Sequence, residues 1–345
     1  MPDTLPLYSS RQLIRLVQPL DRPQSFLRNL LFEPAPRLFD TRRIDFHVIN
    51  SALEVAQFVH PDATAKPTAE RGFKIESFEP AYIKELTPLT PSSMLDITPG
   101  EIVGGNRSPL ERRALRTTKI VQDHEARIVR RVESMCSTIL ATGAITVEGE
   151  DYPAATVSFG RDAGLTVALT STARWGETGV SPMANTRTWT NLVSSKSGAA
   201  VDTCVMGDEA FELAIKESEF KERLDNRRQS GGDMEMFLAP KGVDSWGVYQ
   251  GRVGNVDYFT YSQPYNEGGV AKNMMDPYGV ILASRRQAEN VVAFGAIMDM
   301  EMLQAATFWP KMYPVHNPSR TMIETASAPL PILVRPNATF YAKVR

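Results

Sequence analysis

The chain has 345 residues, with 38 Lys+Arg against 40 Asp+Glu and a net charge of -2. Bulk charge therefore excludes a strongly basic nucleic-acid gripper. With 42% hydrophobic residues the chain can bury a large core, and at this length two or more units are expected to share it.

Proline is unevenly spread. Twelve of the 24 prolines fall in residues 1–100, six in 310–345 and six in the stretch between. Because proline lacks a backbone donor and is kept out of helix interiors and central strands, both ends of the chain are expected to be extended or looped. The two cysteines, Cys136 and Cys204, are far apart in apolar surroundings, which suits buried thiols in a reducing compartment rather than a disulfide scaffold. The first ten residues have neither the basic start nor the apolar run of a signal peptide. No window of about 20 apolar residues suggests a membrane span.

Residues 1–42 mix six prolines with a short apolar run at 26–32, too little for an independent core, and read as an arm lying on something else. In 43–105, Ile44, Phe46 and Val48 alternate with Arg43, Asp45 and His47, the period-2 pattern of a half-buried strand. Further extended pieces are expected at 52–59 and 73–78, separated by a breaker-rich stretch at 60–72. So few strands with so little apolar surface do not make a stable domain, and a projecting β-loop that docks on a neighbour is the expectation.

The clearest local signal lies at 108–143. Ser108 is placed to be an N-cap, Pro109 the first helical residue and Glu111 the partner in a capping box, while Gly143 stands where a left-handed C-cap belongs. A helix over 109–142 would run roughly 50 Å, about three times the usual length. Ala114, Val121, Ile128 and Met135, joined by Leu110, Val132 and Ile139, form its apolar stripe, and Arg112, Arg113, Arg116, Lys119, Arg127, Arg130 and Arg131 its basic face.

Strands are expected at 156–159 and 165–169, then a Gly/Ser/Thr/Pro-rich connection at 170–190. A strand at 201–206 should lead into a helix over 209–224 capped by Asp208. A hairpin is expected from 246–250 and 256–261 around a turn at 251–255, followed by a strand at 280–283 and an Ala/Met-rich segment at 287–303. The last 36 residues return to extended structure, with Phe340, Ala342 and Val344 alternating with Tyr341, Lys343 and Arg345.

Catalytic constellations are missing. There is no phosphate-binding Gly-x-x-x-x-Gly-Lys-Ser/Thr loop, no Gly-x-Ser-x-Gly elbow and no His-Glu-x-x-His. Gly247, Gly251 and Gly254 are read as hairpin glycines, since their spacing is wrong for a dinucleotide loop and a strand follows. His124 lacks a metal partner, because the positions three and four residues on are Arg127 and Ile128. The basic helix face has no interleaved aromatic residues for base stacking, so ion pairs between subunits are favoured over DNA contact.

The order of arm, β-loop, long capped helix, α/β unit and extended return resembles the major capsid proteins of tailed bacteriophages, in particular the phage-lambda type, the capsid protein E family. Segments that carry the resemblance are Phe78-Glu79-Pro80-Ala81-Tyr82-Ile83-Lys84, Arg223-Leu224-Asp225-Asn226-Arg227-Arg228, Tyr265-Asn266-Glu267-Gly268-Gly269-Val270-Ala271-Lys272-Asn273, Trp309-Pro310-Lys311 and Ser327-Ala328-Pro329-Leu330. In order, they span most of residues 26–345.

The resemblance implies an α+β capsid fold of the Hong Kong phage 97 type. Its parts would be an N-terminal arm (1–42), an extended β-loop (43–105), a peripheral domain (106–179) with its spine helix at 109–142, an axial domain (180–290) and a return to the peripheral domain (291–345). It further implies a non-enzymatic, self-assembling subunit of hexamers and pentamers in an icosahedral shell around double-stranded DNA, without cofactor or metal. Scaffolding protein, portal and a decoration protein would be its partners, with weak non-specific contact to packaged DNA and none to membranes. It would reside in the virion and assemble in the host bacterial cytoplasm. Arg43, Glu79, Arg112, Arg227 and Arg228 are the expected charged subunit contacts. An encapsulin-like compartment shell is the alternative, and an unrecognised soluble α/β enzyme the third.

Overall fold

The computed structural model describes residues 8–17, 25–49, 73–96, 107–149, 152–224 and 247–345. The expected strand at 52–59, the breaker-rich stretch at 60–72, and Arg227 and Arg228 lie outside these residues. In chain order, α1 (Ser10–Val17) and α2 (Phe26–Leu31) are followed by β1 (Arg37–Leu38), β2 (Ile44–Ile49), β3 (Phe73–Phe78), β4 (Ile83–Leu89), α3 (Pro91–Leu95) and α4 (Pro109–Thr142). Next come β5 (Ala144–Gly149), β6 (Tyr152–Ser158), β7 (Thr166–Ala168), α5 (Pro182–Ser197), β8 (Thr203–Met206), α6 (Asp208–Ile215) and α7 (Ser218–Arg223). From residue 247 onward the strands are β9 (Gly247–Val253), β10 (Val256–Tyr261), β11 (Pro264–Glu267), β12 (Val270–Asn273), β13 (Gly279–Ala283), β14 (Val291–Phe294), β15 (Trp309–Val315), β16 (Arg320–Ser327), β17 (Pro329–Ile332) and β18 (Thr339–Lys343).

Helix α4 organises the molecule. Its 34 residues begin at the expected capping box: Ser108 accepts from the Glu111 backbone N–H while the Glu111 carboxylate accepts from the Ser108 N–H. It ends at Gly143, whose φ of 71° places it in the left-handed region. The buried face differs in part from the expected stripe. Val121, Ile128, Val132 and Ile139 are buried as expected, but Leu110 is 56% exposed, and the face also takes in Thr117, His124, Glu125, Glu133 and Cys136. The helix is covered on that side by elements that bring their own polar groups, so the stripe is wider and more polar than apolar periodicity indicates.

Two of the cores form against this helix. Toward its C-terminus, Val132, Cys136, Ile139 and Leu140 pack with α2, β10, β14 and β17. Near its N-terminal half, Val121 packs with Leu13, Leu89, Met312 and Ile323, under the three-stranded antiparallel sheet β15-β16-β4. A separate core under α5, α6 and α7 contains Trp175, Trp189, Phe211, Phe220 and Phe340, with the Trp189 ring stacked on both Trp175 and Phe340. This third core is roofed by a six-stranded sheet in the order β7-β18-β13-β8-β10-β9. Segment 291–345 thus supplies β15 and β16 to one sheet and β18 to another.

Two local expectations are corrected. The single helix over 209–224 is two helices, because the chain turns at Lys216 and Glu217, and the first is capped by Gly207 rather than Asp208. The loop expected to run to residue 190 contains the first half of α5. Its polar composition hid it: Thr186, Thr188, Thr190 and Ser197 each donate their hydroxyl to the carbonyl four residues back, satisfying themselves within the helix.

Candidate assembly surfaces

Of the expected contact residues, Arg43, Glu79 and Arg112 lie among the described residues. Arg43 is exposed just before β2, and Glu79, just after β3, lies at the same end of that ladder, where it takes an ion pair from Arg42 at 2.8 Å. Arg112 lies on the first turns of α4, where its guanidinium donates to the Leu95 carbonyl at 3.4 Å. Arg116 likewise donates to the Asp96 carbonyl. Both arginines thus tie α3 to the spine helix, an outcome that residue type alone could not signal.

The basic face of α4 is largely consumed within the chain. Arg127 pairs with Glu85 of β4 at 3.0 Å, and Arg131 pairs with Glu267 of β11 at 2.5 Å, where Lys272 also binds at 2.8 Å. These pairs hold Glu267 below the usual carboxylate range. They border a cleft of about 1140 Å³ between α4, the start of β4, β5 and the β11–β12 hairpin. Arg113 is buried. These ion pairs lie within the subunit, whereas the sequence reading favoured pairs between subunits.

His124, set aside as a metal ligand, has a structural role. It is buried on α4, with its Nε2 2.8 Å from the Thr87 hydroxyl and its Nδ1 2.9 Å from the Thr325 hydroxyl. It thereby pins two adjacent strands, β4 and β16, to the spine helix. Burial pushes its pKa below the usual imidazole value. Among the described residues no cluster of His, Cys, Asp and Glu could hold a metal ion, and no helix is long and apolar enough to cross a membrane.

The best-built joint was missed by sequence reading altogether. Glu133, fully buried on α4, accepts the backbone N–H of Leu27 at 2.7 Å and of Arg28 at 3.1 Å. The Tyr261 hydroxyl of β10 lies 3.1 Å from the same carboxyl. Phe26 stacks on Tyr261 with ring centroids 5.1 Å apart and tilts against Phe259 at 5.8 Å. Asn290 closes the other end of α2, donating its amide to the Leu31 carbonyl while its backbone carbonyl accepts from Glu33. The only sequence trace of this joint is an acidic residue in register with the apolar stripe, at the position next to Val132.

Extended and apolar surface is left over. The β2–β3 and β11–β12 ladders each have two strands and, among the described residues, no third. Large apolar side chains are exposed together in the loop between β14 and β15, at Met298, Met300 (90% exposed) and Leu303. A second group, Leu95, Leu110 and Leu115, surrounds the start of α4. Groups of this kind mark interaction surfaces more often than isolated exposed leucines do.

The family of phage major capsid protein E matches residues 9–344. The major capsid protein of Escherichia phage N15 is 27% identical over 317 residues, covering 90% of this chain and 91% of that protein. That of Escherichia phage lambda is 26% identical over 317 residues, with the same coverage. Among solved structures, a prophage protein of E. coli CFT073, assigned there as a capsid protein, superposes with a TM-score of 0.76 at 20% identity, covering 98% of this chain and 99% of that one. The capsid of Ralstonia phage GP4 superposes with a TM-score of 0.51 at 12% identity, covering 100% and 92%. The α+β fold is thus that of tailed-phage capsid proteins, and this chain belongs to the phage major capsid protein E family.

Proposed function

We propose that, within this structural family, the chain builds a head shell from hexamers and pentamers that enclose double-stranded DNA. It would assemble in the host cytoplasm with a scaffolding protein, a portal and a decoration protein, and it would catalyse no reaction. The observation that carries this reading is the unfinished surface: Met298, Met300 and Leu303 lie exposed within six residues, and a neighbouring copy is the partner that would cover them. The relatives are phage capsid proteins, which favours a phage head over a compartment shell. Packaged DNA would meet the subunit weakly, because Arg127 and Arg131 already have carboxylate partners in their own chain and the whole chain is near neutral.

Expression with and without candidate scaffolding, followed by sedimentation and negative-stain microscopy, tests the proposal. Rings or shells are expected, and a compact monomer under every assembly condition would overturn it. The role of the β-loop is tested by a deletion. Removing all of 43–105 would also remove β4, which pairs with β16 and buries Leu89 in the core beneath. Deleting only 50–72 spares that sheet. The expected product is a folded subunit that does not close shells; normal shells would exclude the loop from assembly.

A further inference from the structure

We propose that helix α2 is held in its cleft by a proton-linked latch, in which Glu133 binds the helix as a neutral carboxylic acid and releases its proton when the helix leaves. The geometry of donors and acceptors points this way. The Tyr261 hydroxyl has one proton, yet it faces two acceptors, Glu133 Oε1 at 3.1 Å and Gln263 Oε1 at 2.9 Å. With Glu133 ionised, one of those contacts lacks a hydrogen. With Glu133 protonated, its O–H donates to the Tyr261 oxygen, Tyr261 donates to Gln263, and the backbone N–H groups of Leu27 and Arg28 keep their acceptors. Every group in the joint is then satisfied.

The surroundings offer little to hold a charge. Among the described residues no Lys or Arg forms an ion pair with Glu133. The charged or titratable groups facing it are Arg28 on α2, Tyr261 on β10 and Cys136 on its own helix. Burial raises the Glu133 pKa, opposed by the Leu27 and Arg28 N–H groups. Burial also keeps Tyr261 and Cys136 protonated, so Glu133 is the group in this joint whose protonation state is open to change. The cleft itself is shaped for α2: a Cβ on Gly247 would overlap the Phe26 ring.

The sign follows from linkage. The docked state binds the proton more tightly than the released state, in which Glu133 meets water. Docking is therefore complete at acid pH and weakens as pH rises through the docked-state pKa of Glu133.

Hydrogen-exchange protection factors for the amides of 27–31 in the full, unassembled chain provide the test, because they divide out the intrinsic pH dependence of exchange. Protection is expected to fall with rising pH, approaching tenfold per pH unit, the limit for one proton. In Glu133→Gln it should be lower throughout, since the amide nitrogen cannot accept an N–H, but independent of pH. Flat protection in the natural chain, or an unchanged slope in Glu133→Gln, would overturn the latch. Should the Gln variant not fold, Gly247→Ala carries the test through the infrared band of a buried protonated carboxyl. That band is expected in the natural chain under the acid conditions in which α2 is docked and should vanish when α2 is displaced. Its absence from the natural chain, or its persistence with α2 displaced, would equally overturn the proposal.

Discussion

His124 on the spine helix and Thr325 on β16 are joined through a buried contact of 2.9 Å between Nδ1 and Oγ1. The other ring nitrogen reaches Thr87 on β4, so one neutral imidazole locks a helix to two strands. Burial lowers its pKa, with Glu85 and Asp123 opposing and Arg127 reinforcing the shift. The folded state therefore binds this proton less well than the unfolded chain. Its contribution to stability is complete above about pH 6.5, the ordinary imidazole value, and is lost as pH falls from there through the folded-state value. Thermal unfolding should thus begin at lower temperature in mildly acid buffer than at neutral pH. His124→Gln should show a smaller change between the two conditions, and an equal change in both proteins would remove His124 as the cause.

The end of the spine helix gives a second prediction. Gly143 adopts a left-handed conformation, and Arg161 folds over it to donate to the carbonyls of Leu140 and Ala141 at 2.6 Å each. Burial pushes the Arg161 pKa down to about 10, still high enough to keep it charged at neutral pH. A Cβ at position 143 would lie 2.9 Å from the Arg161 Cβ. Gly143→Ala is therefore expected to cost at least about 1–2 kcal/mol from the left-handed backbone alone, with more from displacing the Arg161 cap. Denaturant unfolding measures this directly; a variant as stable as the natural chain would show that the helix end readjusts freely.

Much of the scaffold was legible because its signals are local. The capping box at Ser108 and Glu111, the C-cap at Gly143 and the alternation that buries Phe340, Ala342 and Val344 all depend on neighbours a few residues away. What escaped depends on contacts distant in sequence. Glu133 reads as one more surface acid of a long amphipathic helix until α2, 105 residues earlier, is laid against it. His124 joins residues 37 and 201 positions away. Helix α5 carried its start and stop at Ser181, Pro182 and Gly198, but its threonines weaken the apolar pattern that would have drawn attention to them. The family segments supplied what periodicity could not, namely membership of a capsid protein family.

The ion pairs along α4 should contribute little to folding. Arg127 is 58% exposed against Glu85 at 29%, so solvent and salt screen the pair. Arg127→Ala is expected to lower stability by less than about 1 kcal/mol, with the difference shrinking further as salt is added. The same variant speaks to DNA contact. If Arg127 met phosphates, its removal would reduce the salt dependence of DNA binding by about one charge; an unchanged salt slope is the expected result, measured by fluorescence anisotropy with a short duplex.

The Met298, Met300 and Leu303 loop separates folding from assembly. Its backbone is fixed from within the subunit. Asp299 accepts from the Glu301 N–H and pairs with Lys311 at 3.0 Å, and its backbone carbonyl accepts from Met302 and Leu303. The Met300 side chain takes no part in this and stands 90% exposed. Met300→Ser should therefore leave thermal stability within about 0.5 kcal/mol of the natural chain, as for other surface substitutions. Shell formation should suffer, because burying a Met side chain is worth about 1.5–3 kcal/mol and the term repeats at every equivalent contact of a closed shell. The critical concentration for assembly, followed by light scattering, is expected to rise at least tenfold. If assembly is unchanged while folding is also unchanged, this loop faces solvent in the shell, and the contact surface must be sought at Leu95, Leu110 and Leu115 around the start of the spine helix.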